Sequence, residues 1–278
     1  MQSQPISGAT GIVIIAGHPV VQVKSPANFN RWFQEHGQDM AMFAVDVAPE
    51  RVADLVALAR GWHNLRGIVV TVPHKQAFAQ LVDSLSPRAQ ALGAVNVVRR
   101  DADGKLSGDM MDGFGFISAA KAHGFDSAGR HAAVVGAGGV GSAIAYALCE
   151  SGIASLTLAD SDATRLEALS KTLRAHFPKV DIAHGIPSLA RLDVLVNATP
   201  VGMGDSGALP LPATLLETLS PQTLVADVVT SPELTPFLAL AQARGCRIQK
   251  GPEMSLAQLE LLGAHIGVMP APGLGSSN

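Results

Sequence analysis

The sequence predicts an α/β protein of two domains, each built on a mainly parallel sheet, and three observations predict it. Short β-branched runs alternate with helix-period segments, the pattern of βαβ units. Ile68–Val72 is β-branched at every position, which suits a central strand covered on both faces. The alternation pauses after a helical segment near 113–123 and restarts at 131, and a chain of 278 residues suits two cores better than one.

Taken in order, the apolar run 11–17 reads as a strand, and 26–37 as a helix opened by Pro26, since proline fits a first helical turn. Residues 42–47 are a second strand and 49–61 an amphipathic helix. The third strand, 67–72, exits through Pro73, His74 and Lys75 into a loop, and 83–92 reads as helix. Residues 94–109 form a hairpin turning at Asp103-Gly104, and 113–123 a helix. Beyond it come the strand 131–135, a helix opened by the glycines at 136–141, a strand at 155–160 and a helix at 162–176. Strands within 193–200 and 224–229, a helix at 233–244, the run 247–251 and a last helix from Met254 to His265 complete the pattern. The expected domains are 1–112 and 113–253, with the segment 254–270 packing back on the first and 271–278, rich in Gly, Ser and Pro, a frayed tail.

Bulk composition removes several classes of function. Hydrophobic residues make up 47% and charged residues 15%, so the chain is globular rather than disordered. A net charge of −3 offers no electrostatic case for nucleic acid or an anionic membrane. No apolar run approaches the roughly 18–20 residues of a membrane span. The N-terminus lacks a basic region ahead of its apolar stretch, so it reads as a first strand instead of a signal peptide. Cys149 and Cys246 lie far apart in apolar contexts, which suits reduced structural thiols in the cytoplasm. No Cys/His cluster has metal-ligand spacing, so no metal is expected. The nine histidines are scattered, and most read as surface or capping groups.

GAGGVG, residues 136–141, follows the apolar run AAVV and opens a helix, with Asp160 about 20 residues on. Glycines let backbone approach a pyrophosphate, and the amides and dipole at a helix N-terminus bind its charge. Asp160, ending the next strand, should face the adenosine ribose. This strand–loop–helix context predicts a Rossmann dinucleotide-binding domain. Lys75 by itself permits two readings: a solvated side chain, or a catalytic amine at the carboxyl edge of a sheet, where open α/β folds place their ligands.

The chain resembles the shikimate/quinate dehydrogenase family over nearly its whole length. The matching segments, in the family's order, are HPVVQVKSPANFN, VVTVPHK, GAVNVV, GDMMDGFGF, GAGGVG, NATPVGM, DVVTSPELTP and GPEMSLAQ. The resemblance implies an N-terminal α/β substrate domain, a C-terminal Rossmann domain and a cleft between them. It also implies reversible hydride transfer between a nicotinamide and a ring hydroxyl of a cyclitol carboxylate. By position, Lys75 matches the catalytic lysine and Asp112 its partner. Thr71, Asn96 and Gln258 match substrate-hydroxyl contacts, and Ser25 one of two serines that hold a carboxylate. Cofactor positions implied are Gly136, Ala137, Gly138, Gly139, Val140 and Gly141 in the loop, and Asp160, Ser161 and Arg165 past the second strand. Asn197, Ala198, Thr199, Gly251 and Met254 complete them.

Departures from the family pattern cluster at the carboxylate end. Val23 replaces the first serine and Thr230 the tyrosine after the DVV strand, both at substrate-facing positions. Val69, Val97 and Met110-Met111 stand where the family has polar residues, which is either thinned substrate contact or repacking. Each lost charge-assisted hydrogen bond costs roughly 1.5–3 kcal/mol, so shikimate itself is expected to bind less well. Ala159-Asp160-Ser161 stands where NADP-using relatives carry Asn-Arg-Thr, which predicts NAD over NADP. Arg165, the one nearby cation, is expected to face solvent. A small-molecule substrate, no nucleic-acid or membrane partner, and a monomer or homodimer complete the expectation. The alternative is a nicotinamide-binding regulatory or sensor protein on the same fold, against which the retention of both Lys75 and Asp112 argues.

Overall fold

A computed structural model describes residues 6–186 and 188–271. All but the first residue of the expected 271–278 tail lies outside the described residues. The chain separates into two compact units, residues up to 111 together with those from 259 onward, and residues 112–258.

The first unit runs β1 (Gly11–Gly17), α1 (Ser25–Glu35), β2 (Met40–Asp46), α2 (Val52–Gly61), β3 (Leu65–Val70), α3 (Lys75–Leu81), β4 (Ser84–Leu85), α4 (Pro87–Leu92), β5 (Val97–Arg100) and β6 (Leu106–Asp109). Its six-stranded sheet has the order β2-β1-β3-β5-β6-β4. β1 pairs in parallel with β2 and β3, while β5 runs antiparallel between β3 and β6. The core beneath joins Val13, Ile15, Phe29, Phe33, Val69 and Val97 to Leu262 and Ile266 of the last helix.

In the first unit the sequence expectation is not met at the exit of β3, at α3, which forms where a loop is expected, and over 83–92. β3 ends at Val70 because the chain turns at once: the His74 amide donates to the Thr71 carbonyl at 3.0 Å, and Val72 is left 63% exposed. The expected helix over 83–92 begins only at Pro87. Ser86 caps it, accepting from the Ala89 amide at 3.2 Å, while the Asp83 carboxylate accepts from the Leu106 amide at 2.7 Å and Ser84–Leu85 pair with β6. A Ser-Pro pair is a strong helix start, and the residues ahead of it are claimed by the sheet.

The second unit comprises α5 (Asp112–Ala122), β7 (His131–Val135), α6 (Gly139–Glu150), β8 (Ser155–Ala159), α7 (Ala163–His176), β9 (Asp181–His184), β10 (Val194–Asn197), α8 (Ala213–Leu216), β11 (Leu224–Asp227), α9 (Pro236–Ala243) and β12 (Arg247–Gln249). α10 (Gly251–Ile266) starts here, and its second half, from Leu259, belongs to the first unit. The helix therefore begins before the expected Met254. The sheet order is β12-β11-β10-β7-β8-β9 and every pairing is parallel. β10 and β11 are buried at every position, as a sheet with helices on both faces demands. The chain winds one way from β7 to β9 and the other way from β10 to β12. Its topological switch point therefore lies at the carboxyl ends of β7 and β10.

Cys149 and Cys246 are free and buried, and burial pushes the Cys149 thiol up to about 12. Among the described residues no helix is long and apolar enough to cross a membrane, and no group of three or more His, Cys, Asp or Glu is placed to hold a metal.

Candidate active site

A cavity of about 410 Å³ opens at the switch point of the second unit, lined by Gly136, Gly138, Asp160, Ser161, Arg165, Ala198 and Thr199, among others. Gly136 leaves β7 at φ +105°, a backbone that side chains rarely adopt. A Cβ on Gly141 would lie 1.9 Å from the Gly136 carbonyl oxygen, so the first turn of α6 reaches the strand exit only because the residue is glycine. Gly138 caps α6 without a side chain, leaving the helix's first amides to a ligand. These features fit a dinucleotide's pyrophosphate. Ala137, Gly139, Val140 and Gly141 shape the loop but are not among the lining residues. Pro200, Val201, Pro210 and Leu211 line the cavity as well. Pro200-Val201 adjoin the expected Asn197, Ala198 and Thr199 but are not among the expected positions, and Pro210-Leu211 lie in a stretch without periodicity.

Asp160 has only 7% of its side chain exposed. Its Oδ2 accepts from the Ala137 amide at 2.5 Å and its Oδ1 from the Asp162 amide at 2.7 Å. Burial alone would raise its pKa, but these two amide bonds, with Arg165 and Ser161, hold the carboxyl below the usual range. Arg165 does not simply face solvent. Though 55% exposed, it pairs through Nε with Asp162 at 3.1 Å and through Nη2 with Asp160 at 3.6 Å. Asn197 is fully buried and spends its amide on neighbouring residues. Gly251 opens α10 against the backbone of Val229, and Met254 is buried one turn later. Neither lines this cavity.

In the first unit the carboxyl ends of β1 and β3 gather a second set of polar groups. Lys75 opens α3 and is half-buried. Its carbonyl accepts from the Val95 amide at 3.0 Å, which fastens it beside Asn96. His74, expected at the surface or in a cap, is 1% exposed, and its Nε2 donates to the Val47 carbonyl at 2.7 Å, anchoring the turn that delivers Lys75. Asn96 is buried. Its carbonyl accepts from Val70 at 2.7 Å, and its side-chain oxygen from the Met111 amide at 2.7 Å. Thr71 and Ser25 are half-buried on the same edge. Val69 and Val97 lie in the core with Val23 and Met111 packed on it, so four of the departures belong to one hydrophobic cluster.

Asp112 and Gln258 meet within the second unit. Asp112 begins α5 and is 5% exposed, and the Gln258 amide donates to its Oδ1 at 3.3 Å. Thr230 is half-buried on the turn after β11.

A doubly wound parallel sheet with a glycine turn, an open helix N-terminus and an acid after the second strand defines a dinucleotide-binding unit. The first unit presents a polar strand edge with a half-buried lysine. Residues 15–98 match the family described as shikimate dehydrogenase substrate binding domain. The NADP(+)-dependent shikimate dehydrogenase of Geobacter sulfurreducens is 38% identical over 282 aligned residues, covering 97% of this chain and 96% of the relative. The solved structure of shikimate 5-dehydrogenase from Listeria monocytogenes with shikimate and NAD is 29% identical, with a TM-score of 0.88, covering 94% of this chain and 93% of that one. Quinate dehydrogenase from Corynebacterium glutamicum with NAD is 28% identical at a TM-score of 0.83, covering 93% and 94%. The chain belongs to the shikimate/quinate dehydrogenase family of oxidoreductases.

Proposed function

We propose that the protein catalyses reversible hydride transfer between NAD(P) and a ring hydroxyl of shikimate or a related cyclitol carboxylate, with NAD preferred. What carries the reading is likeness at 36–38% identity along most of the chain, together with Lys75 and Asp112 at the family's acid–base positions. A bound nicotinamide would accept the C–H hydride, and Lys75 would take the carbinol O–H proton as the C–O bond becomes a carbonyl. The reverse reaction returns both. Thr71, Asn96 and Gln258 stand at the positions where the family contacts substrate hydroxyls, and Asp112 at the position of the lysine's partner. The cofactor itself supplies the hydride acceptor.

The cofactor preference rests on Asp160. A carboxylate has about four lone-pair sites; the Ala137 and Asp162 amides take two, and Ser161 and Arg165 also draw on the group. The remaining ones suit ribose hydroxyls, whereas a 2′-phosphate would meet a like charge whose nearest cation already serves two aspartates. The relatives are named for NADP(+), so the NAD preference proposed here rests on Asp160 alone. Buried free thiols suit a reducing compartment, and we place the protein in the cytoplasm. Steady-state rates with shikimate and quinate, each with NAD and NADP, test the reading. NAD should lead by at least about tenfold in kcat/KM, a difference of about 1.4 kcal/mol. Equal or better use of NADP would overturn the role given to Asp160.

A further inference from the structure

Asp227 ends β11 with its carboxylate 2% exposed, and among the described residues no Lys, Arg or His pairs with it. A buried anion without a cation is costly to keep. Burial indeed pushes its pKa up, against hydrogen bonds from Val229, Thr235 and Asn197. The three donors come from two segments, Val229 and Thr235 from the connection between β11 and α9 and Asn197 from the end of β10. The Val229 amide donates to Oδ1 at 3.0 Å, the Asn197 side chain to Oδ1 at 3.1 Å, and the Thr235 hydroxyl to Oδ2 at 2.7 Å.

Each donor passes the constraint on. A carboxylate only accepts, so it turns the NH₂ of Asn197 toward itself and the Asn197 oxygen the other way. That oxygen accepts from the Thr199 amide at 3.1 Å and the Thr199 hydroxyl at 2.6 Å, while the NH₂ also donates to the Val201 carbonyl at 3.0 Å. The turn 198–201, which lines the cofactor cavity, therefore hangs on an amide whose orientation Asp227 sets. On the other side, Val229 and Thr235 bracket the turn that carries Thr230. Thr235 also caps α9, accepting from the Leu238 amide at 3.3 Å. A Cβ on Gly251 would lie 2.3 Å from the Val229 carbonyl oxygen, so the start of α10 rests on the same turn.

We propose that Asp227 is a positioning residue that fastens, through one carboxylate, both the turn lining the cofactor cavity and the turn bearing Thr230. The inference rests on the nicotinamide-binding reading, so the probe is NADH itself, titrated by fluorescence onto folded protein alongside kcat and KM. Asp227→Ala should raise the Kd for NADH about tenfold, the loss of roughly one well-placed hydrogen bond to a charged group. Asp227→Asn should stay within about twofold, because its oxygen still accepts from Val229 and Asn197 and its NH₂ can donate to the Thr235 hydroxyl. A residue serving stability alone would lower Tm and the active fraction without moving Kd. Wild-type affinity in folded Asp227→Ala, or equal weakening in Asp227→Asn, overturns the proposal. If Asp227→Ala does not fold, Thr235→Val removes one tether and should raise Kd about threefold, and an unchanged Kd there is equally decisive. Failure of the wild type to bind NADH would instead defeat the cofactor reading and carry this inference down with it.

Discussion

The two sheet edges use polar side chains in opposite ways. At the carboxyl ends of β8, β10 and β11, the side chains of Asp160, Asn197 and Asp227 are buried and bond to backbone, to one another or to adjacent side chains. There the surface left for a ligand is largely backbone, shaped by glycine and held by concealed side chains. At the ends of β1 and β3, Ser25, Thr71 and Lys75 are half-buried, and the hydroxyls of Ser25 and Thr71 have no hydrogen-bond partner among the described residues. Here backbone contacts and the buried His74 do the holding. A backbone-lined site can serve one fixed ligand with little change, whereas a site made of half-exposed side chains can be retuned by substitution. Of the departures, half-buried Val23 stands on this second kind of edge, Val69 lies in the core beneath it, and Thr230 follows β11 at the first.

Substitutions can break that contrast. Lys75→Ala should cut kcat by about 10²–10⁴-fold, the usual yield of a positioned acid–base group, with NADH affinity and Tm nearly unchanged. A variant keeping more than a third of wild-type kcat on the best substrate would sink the assignment. Gly141→Ala acts on the other edge. Its methyl would meet the Gly136 carbonyl at 1.9 Å, so the helix start must move, and NADH binding should weaken at least about thirtyfold, some 2 kcal/mol, with a lower Tm. Unaltered NADH titration would show that the loop does not receive the pyrophosphate.

Smaller effects sharpen the comparison. Asp160→Ala should narrow or reverse the roughly tenfold NAD preference. Because it also unfastens the Ala137 amide, it should weaken both cofactors in absolute terms, and rates at varied NAD and NADP would separate the two consequences. With its carboxyl held below the usual range, Asp160 contributes stability that is full above the unfolded carboxylate pKa and lost as pH falls through the folded one. The Tm difference between wild type and Asp160→Asn should therefore shrink below about pH 4. Smallest of all, Val23→Ser with Thr230→Tyr should lower the shikimate KM a few-fold, about 1 kcal/mol. An unchanged KM in the folded double variant would mean that these positions do not limit shikimate binding.

Much of this was legible in the sequence, and the exceptions share a cause. Glycine spacing and strand-to-helix order are local, so the dinucleotide loop and the exit carrying Lys75 could be read directly. The Ala137–Asp160 bond and the turn of Arg165 onto Asp160 are tertiary, made between neighbouring strand ends, and no local pattern announces them. The missing helix over 83–86 has the same origin, since Asp83 is claimed by Leu106 from a distant strand. His74 looked like a loop residue because nothing nearby marks the Val47 carbonyl that receives it. Pro210-Leu211 reach the cavity from a segment with neither periodicity nor motif.

The central claim is that the chain moves a hydride between a ring carbinol and a nicotinamide, which a sensor on the same fold would not do. Incubating the wild type with NAD and shikimate or quinate carrying deuterium on the reacting carbon, and weighing the reduced cofactor by mass spectrometry, tests it most directly. The account predicts reduced cofactor bearing the deuterium, formed catalytically and suppressed in Lys75→Ala. NADH bound by the wild type without any labelled cofactor from either substrate, with NAD or NADP, would contradict it.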